Sequence, residues 1–215
     1  MHHSRRNRQR KPGRRKPFRD PLPIILIVCE GEKTEPQYFS GYRRACHNPR
    51  VNIIVADEHG VPKTLVEIAK QYKTEAEEDA SREKDDNLAY DSVWCVFDID
   101  EHPLVPDAKQ MARDNGIELA ISNPCFELWL LLHFQDNPGM KDRNKIQKML
   151  SKHVPEYDKH VEYTTYSTGY EDAVKRAKRM DQDAEDFGEH HRNPTTGVYK
   201  LTEIIRRDNK GEQGC

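Results

Sequence analysis

Pro23-Ile24-Ile25-Leu26-Ile27-Val28, running straight into Cys29-Glu30-Gly31-Glu32-Lys33-Thr34-Glu35-Pro36, is the stretch that decides the fold. After Pro23 every residue of the first segment is a branched aliphatic, with no polar alternation. A strand with one wet face would alternate, so a continuous apolar run fits a strand covered on both faces. The run stops at a carboxylate and a glycine. Thr34 as N-cap, with Pro36 in the first turn, then predicts a helix carrying Tyr38, Phe39 and Tyr42 on one side.

The same strand-then-helix grammar recurs downstream. A second strand is read from Val51 to Ala56, a turn through Gly60 and Pro62, and a helix from about Lys63 with Leu65, Ile68, Ala69 and Tyr72 at helical spacing. Residues 73–91 are acidic and polar, the far end of that helix plus a loop. Ser92-Val93-Trp94-Cys95-Val96-Phe97 reads as a third strand, ending in Asp98-Ile99-Asp100-Glu101-His102. A helix near Pro106 to Asn115 and a short strand, Gly116 to Ile121, complete a β-α-β-α-β-α-β series. Alternation of this kind predicts an α/β fold with a parallel β-sheet flanked by helices. After Asn123-Pro124 the pattern changes: Phe126 to Phe134 is apolar nearly all round and predicts a buried helix. Residues 141–151, 170–187 and 197–207 read as amphipathic helices, with no further strand. The organisation predicted is a basic tail over 1–21, an α/β domain over 22–135, a helical C-terminal extension over 136–207 packed on it, and a tail over 208–215.

The charge is unevenly divided. Arg5, Arg6, Arg8, Arg10, Lys11, Arg14, Arg15, Lys16 and Arg19 stand in a stretch with no acidic residue, which leaves 26 basic against 37 acidic groups and a net of −11 for the rest. A near-neutral total of −2 therefore hides a basic arm on an acidic body. Clustered cations gain counterion-release free energy on phosphates, so the arm is a candidate nucleic-acid contact; the alternative is a solvated tail that aids solubility. No apolar run approaches the ~20 residues a membrane helix needs, and no secretory signal is recognisable. Cys29, Cys46, Cys95, Cys125 and Cys215 form an odd set without a Cys-x-x-Cys pair, which argues against a disulfide framework or cysteine zinc site. A cytoplasmic, reducing setting is expected, with four of the thiols in or beside apolar segments.

Two strand ends carry carboxylates: Glu30 after the first, Asp98 and Asp100 after the third. In open parallel sheets ligands bind outside the carboxyl ends of the strands, where strand order reverses. A flavodoxin-like order makes the first and third strands neighbours and brings the three carboxylates together. Hard oxygen ligands crowded in one cleft repel unless a cation lies between them, and Mg²⁺ (or Mn²⁺) suits such a set. Metal-assisted phosphoryl or phosphodiester chemistry follows. The competing reading is local, since acidic residues are common in loops after strands and Asp98 could cap the next turn.

These residues also carry a resemblance. Glu30-Gly31-Glu32-Lys33-Thr34-Glu35-Pro36 with Phe97-Asp98-Ile99-Asp100 resembles the Toprim pattern of topoisomerases, primases and overcoming-lysogenization-defect nucleases. Together with Ser122-Asn123-Pro124-Cys125-Phe126-Glu127-Leu128-Trp129-Leu130 and Asn193-Pro194-Thr195-Thr196, the set is similar to the RloB-like family, associated with prokaryotic phage defence and restriction loci. The resemblance implies a Toprim-like domain with Glu30 as a metal-holding residue and general acid or base, Asp98 and Asp100 as the metal-binding pair, and Lys33 as either a phosphate contact or a surface lysine in a solvated loop. It leaves open DNA or RNA as the nucleic-acid partner, a partner ATPase subunit and the oligomeric state. Glu101-His102-Pro103 stands where the Toprim pattern often has a glycine, and no strand-passage tyrosine can be picked out. The expectation is a metal-dependent nuclease in antiviral defence of the abortive-infection type, ahead of topoisomerase or primase work.

Other residues have two readings each. Glu127 is either a first-turn carboxylate favoured by the helix dipole or a fourth acidic group facing the cleft. Asn123 is a turn former or a substrate contact. His133, between Leu132 and Phe134, reads as a packed core residue, His102 as a loop bystander near the site, and His190-His191 as a polar loop pair. Thr195-Thr196 reads as a cap on the last helix or an anion contact. Lys175, Arg176, Lys178 and Arg179 form a solvated helix face or, with Tyr163, Tyr166 and Tyr170, a stacking surface for nucleic acid. Two other functional classes stay in view: a haloacid-dehalogenase-like phosphatase with Asp98 as nucleophile, and a non-enzymatic nucleic-acid-binding or regulatory subunit.

Overall fold

The computed structural model describes residues 22–56, 61–99, 105–155 and 157–206. Alternate residues of β1 (Ile25–Cys29) point to opposite faces of a sheet, and all five are fully buried. Ile25, Ile27 and Cys29 join one hydrophobic cluster, and Leu26 and Val28 join a second. That division is why the segment is apolar without alternation. Around it, α1 (Thr34–Ala45), β2 (Val51–Val55), α2 (Pro62–Glu83), β3 (Ser92–Asp98), α3 (Val105–Asp114) and β4 (Glu118–Asn123) follow the expected series. The strand order is β2-β1-β3-β4-β5, with β1, β2, β3 and β4 parallel. β1 and β3 are neighbours, so their carboxyl ends lie side by side. The architecture is α/β, a mostly parallel sheet flanked by helices, consistent with a Toprim-like fold.

One sheet face is covered by α2 and α3 through Leu65, Val66, Ala69, Val105, Ala108 and Ala112. The other is covered by α1, α4 (Glu127–Leu131), α5 (Arg143–Leu150), α6 (Tyr170–Asp186) and α7 (Val198–Ile205). Tyr38 sits at the centre of that second layer, edge-on to Phe126, Trp129, Tyr163 and Tyr166 at centroid distances of 5.8, 6.2, 5.5 and 6.4 Å. Its hydroxyl lies 3.3 Å from Nε2 of His133, whose Nδ1 is 2.9 Å from the Trp129 carbonyl. Burial pushes the His133 imidazole down to about 4, so it is a neutral core residue, as its apolar neighbours suggest.

The structure corrects the sequence reading in several places. A fifth strand exists: β5 (Thr195–Thr196) pairs antiparallel with Ser122 and Asn123. Two residues are too few to show a period, and what makes them a strand is their partner. Ser122 Oγ and Thr196 Oγ1 share a 2.9 Å hydrogen bond across the pair. Thr196 Oγ1 also accepts from the Val198 N–H at 3.4 Å, so it does steady the start of α7. Both threonines are buried, which removes them as anion contacts. Thr34 is the first residue of α1 and not its cap; its hydroxyl instead donates to the Lys159 carbonyl at 3.3 Å and lies 3.4 Å from the Tyr157 hydroxyl. Tertiary partners outcompete the local cap. The apolar Phe126 to Phe134 segment is helical only over α4, then tightens into turns, and is buried through His133.

The stacking surface drawn from Tyr163, Tyr166 and Tyr170 does not form, because Tyr166 and Tyr170 are buried and Tyr163 packs against Tyr38 and Tyr42. The cations beside them on α6 are a solvated, acid-paired face: Lys175 with Asp172, Lys178 with Glu203, Arg179 with Asp136. Such exposed pairs contribute little to stability. Cys29, Cys95 and Cys125 are buried and Cys46 is partly buried; none of the four is in a disulfide. Among the described residues no helix is long and apolar enough to cross a membrane. The basic arm from Arg5 to Arg19, and also Asp100, His102 and Cys215, lie outside the described residues.

Candidate active site

Parallel strands present their carboxyl ends on one edge, and that is where the acidic residues gather. Glu30 follows β1 directly, and its Oε2 accepts from the Asp98 backbone N–H at 3.3 Å, linking the ends of β1 and β3. Asp98, the last residue of β3, receives a hydrogen bond from the Arg143 guanidinium at 3.0 Å on its Oδ2. Arg143 opens α5, whose first turn is capped by the Asp142 side chain accepting from the Lys145 N–H. A residue 45 positions away thus supplies the counter-charge.

Two further carboxylates reach the cluster. Glu35, in the first turn of α1, is only 7% exposed and lies over Gly31. A Cβ at Gly31 would stand 2.1 Å from Glu35 Oε2, so any side chain there would push the Glu35 carboxylate out of its present position. Glu127, the first residue of α4, is 5% exposed and accepts from Gln147 Nε2 at 2.8 Å and from the Tyr157 hydroxyl at 3.4 Å. The structure therefore places Glu127 with the acidic group and not merely at a solvated helix end.

These groups feel one another. Asp98 is held well above the usual carboxylate range, first by burial and then by Glu35, with Arg143 opposing and Glu127 and Glu30 adding to the rise. Glu35 is pushed up to about 7 by burial, with Glu127 and Glu30 raising it further and its own backbone hydrogen bond and Arg143 resisting. Cys125, close by, is pushed up by burial and by Glu127 and Asp98, which keeps it a neutral thiol.

Lys33, in the turn between β1 and α1, is exposed. Asn123 has a scaffold contact: its Nδ2 donates to the His191 carbonyl at 2.8 Å, tying the loop before β5 to the end of β4. Asn123→Ala is expected to cost about 1 kcal/mol, read as a drop of ~2–4 °C in melting temperature. A melting temperature identical to wild type would show the bond to be idle.

Among the described residues no group of three or more His, Cys, Asp or Glu side chains is arranged to hold a metal ion. Four carboxylates and one guanidinium gather at this edge, and burial together with their mutual repulsion makes Asp98 and Glu35 retain protons more strongly than free carboxylates do. Sequence reasoning missed Glu35 and Arg143. Glu35 was visible within the Glu-Gly-Glu-Lys-Thr-Glu motif but was not singled out; Arg143 carries no local signal at all.

A family model described as RloB-like protein matches residues 25–205, from the first residue of β1 to the last of α7. The chain belongs to the RloB-like family. Glu30, Glu35, Asp98, Glu127 and Arg143 all fall inside the matched span. No curated protein and no solved structure was found to match this RloB-like chain.

Proposed function

We propose that this RloB-like protein is a metal-dependent nuclease that hydrolyses phosphodiester bonds, acting in prokaryotic antiviral defence. One observation carries the reading: Glu30 and Asp98 meet at the carboxyl edge of adjacent parallel strands, with Glu35, Glu127 and Arg143 packed around them. Asp98 and Glu30, with Asp100 following in sequence, are the residues that would hold Mg²⁺ or Mn²⁺. When bound, the cation supplies Lewis-acid polarisation of a phosphate oxygen and a water of lowered pKa.

The chain's own residues account for the rest. Glu35, with its carboxyl near neutrality, is suited to exchange a proton at working pH. The Arg143 guanidinium, already opposite Asp98, can pair with a phosphate oxygen in the same cleft. Glu127 is kept in place by Gln147 and Tyr157. Neutral Cys125 offers no thiolate nucleophile, so direct attack by water is favoured over a covalent cysteine intermediate.

The test is cleavage of labelled DNA and RNA by the full chain with Mg²⁺, with Mn²⁺ and with chelator. Products are expected with either metal, none with chelator, and recovery on adding metal back. Cleavage that persists in chelator, or its absence for every nucleic acid with both metals, overturns the assignment.

A further inference from the structure

Between α5 and the segment over 157–159 lies a cleft of about 650 Å³, lined among others by Asn144, Gln147, Lys148, Tyr157, Asp158 and Lys159. It adjoins the acidic site by direct contact. Gln147 and Tyr157 line the cleft and also hydrogen-bond to the Glu127 carboxylate, at 2.8 and 3.4 Å. Thr34, four residues after Glu30, donates to the Lys159 carbonyl and so fixes the cleft's edge to the start of α1. Asn144 follows Arg143 directly.

The cations of this cleft differ from those on α6. There, each of Lys175, Lys178 and Arg179 has an acidic partner within 3.9 Å. Among the described residues neither Lys148 nor Lys159 has an ion pair. Two ammonium groups without an ion pair, beside two amides, one tyrosine and the single Asp158 carboxylate, form a surface for a polyanion whose bases can meet amide and aromatic groups.

We infer that this cleft is the substrate groove of the acidic site: it takes a single-stranded nucleic acid, with Lys148 and Lys159 on backbone phosphates. The inference rests on the nuclease reading for the chemistry but concerns binding alone. It is tested by fluorescence anisotropy of labelled single-stranded DNA and RNA oligonucleotides with the full chain in chelator, where no metal-dependent cleavage intervenes. Wild type is compared with Lys148→Gln/Lys159→Gln across a salt series. Lys70→Gln, a change on exposed α2 against the opposite sheet face, is the control.

Each phosphate contact on a single strand contributes about 0.7 to the slope of log affinity against log salt. The double variant is therefore expected to lower the slope by about 1.4 and to weaken binding by about tenfold or more at low salt, with Lys70→Gln at wild-type values. Unchanged slope in the double variant, equal loss in the control, or no oligonucleotide binding by wild type would overturn the groove. Binding that depends on both lysines in a protein that never cleaves would overturn the nuclease reading and leave the groove standing. Cleavage with binding indifferent to both lysines would do the reverse.

Discussion

Asp98→Asn is expected to lower phosphodiester cleavage at least ~1000-fold while leaving the fold intact. Asp98 ends β3, meets Glu30 through its backbone and Arg143 through its side chain, and lies in the field of Glu35 and Glu127. Asparagine keeps the shape and an oxygen for the Arg143 hydrogen bond but removes the charge a divalent cation needs. Losing about 4 kcal/mol of metal-derived transition-state stabilisation corresponds to roughly three orders of magnitude in rate. The measurement is single-turnover cleavage with saturating Mg²⁺, beside a far-ultraviolet circular dichroism spectrum. A rate within about tenfold of wild type, with a native spectrum, would remove Asp98 from the machinery.

Glu35 predicts a pH signature that needs no substrate. Its carboxyl rises from an ordinary 4.5 to about 7 in the folded protein. Between those values the folded state keeps a proton that the unfolded chain has released. The folded state therefore binds more protons, and stability falls as pH rises through this window. The contribution is complete below pH 4.5, is lost progressively up to about pH 7, and is flat above it. At about 1.4 kcal/mol per pH unit the loss is about 3 kcal/mol, or ~6–12 °C for a chain of this size. Glu35→Gln removes the titrating group, so its melting temperature should decline less from pH 5 to pH 8, with the gap between variant and wild type widening across that range. Parallel curves for the two proteins would show that Glu35 is not strained as described. A divalent cation in the cluster should act in the same sense, raising the wild-type melting temperature more at pH 8 than at pH 5.

The parts of the site that were legible share one physical origin. Glu30 and Asp98 are adjacent in sequence to strands with unmistakable apolar runs, and parallel strands bring all their carboxyl ends to one edge. Finding the strands therefore finds the edge, and neighbouring β1 and β3 bring the acids together. Glu127 was half legible: its place after the fourth strand was readable, but its burial against Gln147 and Tyr157 was not. The tyrosines of 163–170 entered only as the alternative to a solvated helix face, and it took the tertiary structure to remove that alternative. Polar neighbours gave them the look of a surface, whereas Tyr38 draws Tyr163 and Tyr166 into the aromatic layer, where Tyr170 packs against Tyr42.

By itself the sequence determined the α/β class, the parallel strand series, the pairing of Glu30 with Asp98 at one edge, and the family. Each depends on local period or on residues beside a strand end, and hydrophobic burial imposes those regularities along the chain. Only the tertiary structure decided that Arg143 is the cation opposite Asp98, that Glu35 folds over Gly31 into the cluster, that Thr195 and Thr196 form a strand, and that Lys148 and Lys159 border a cleft beside Glu127. Those contacts join segments tens of residues apart, through helices packing across a common core. No local pattern records which side chain of an amphipathic helix will face a distant strand end.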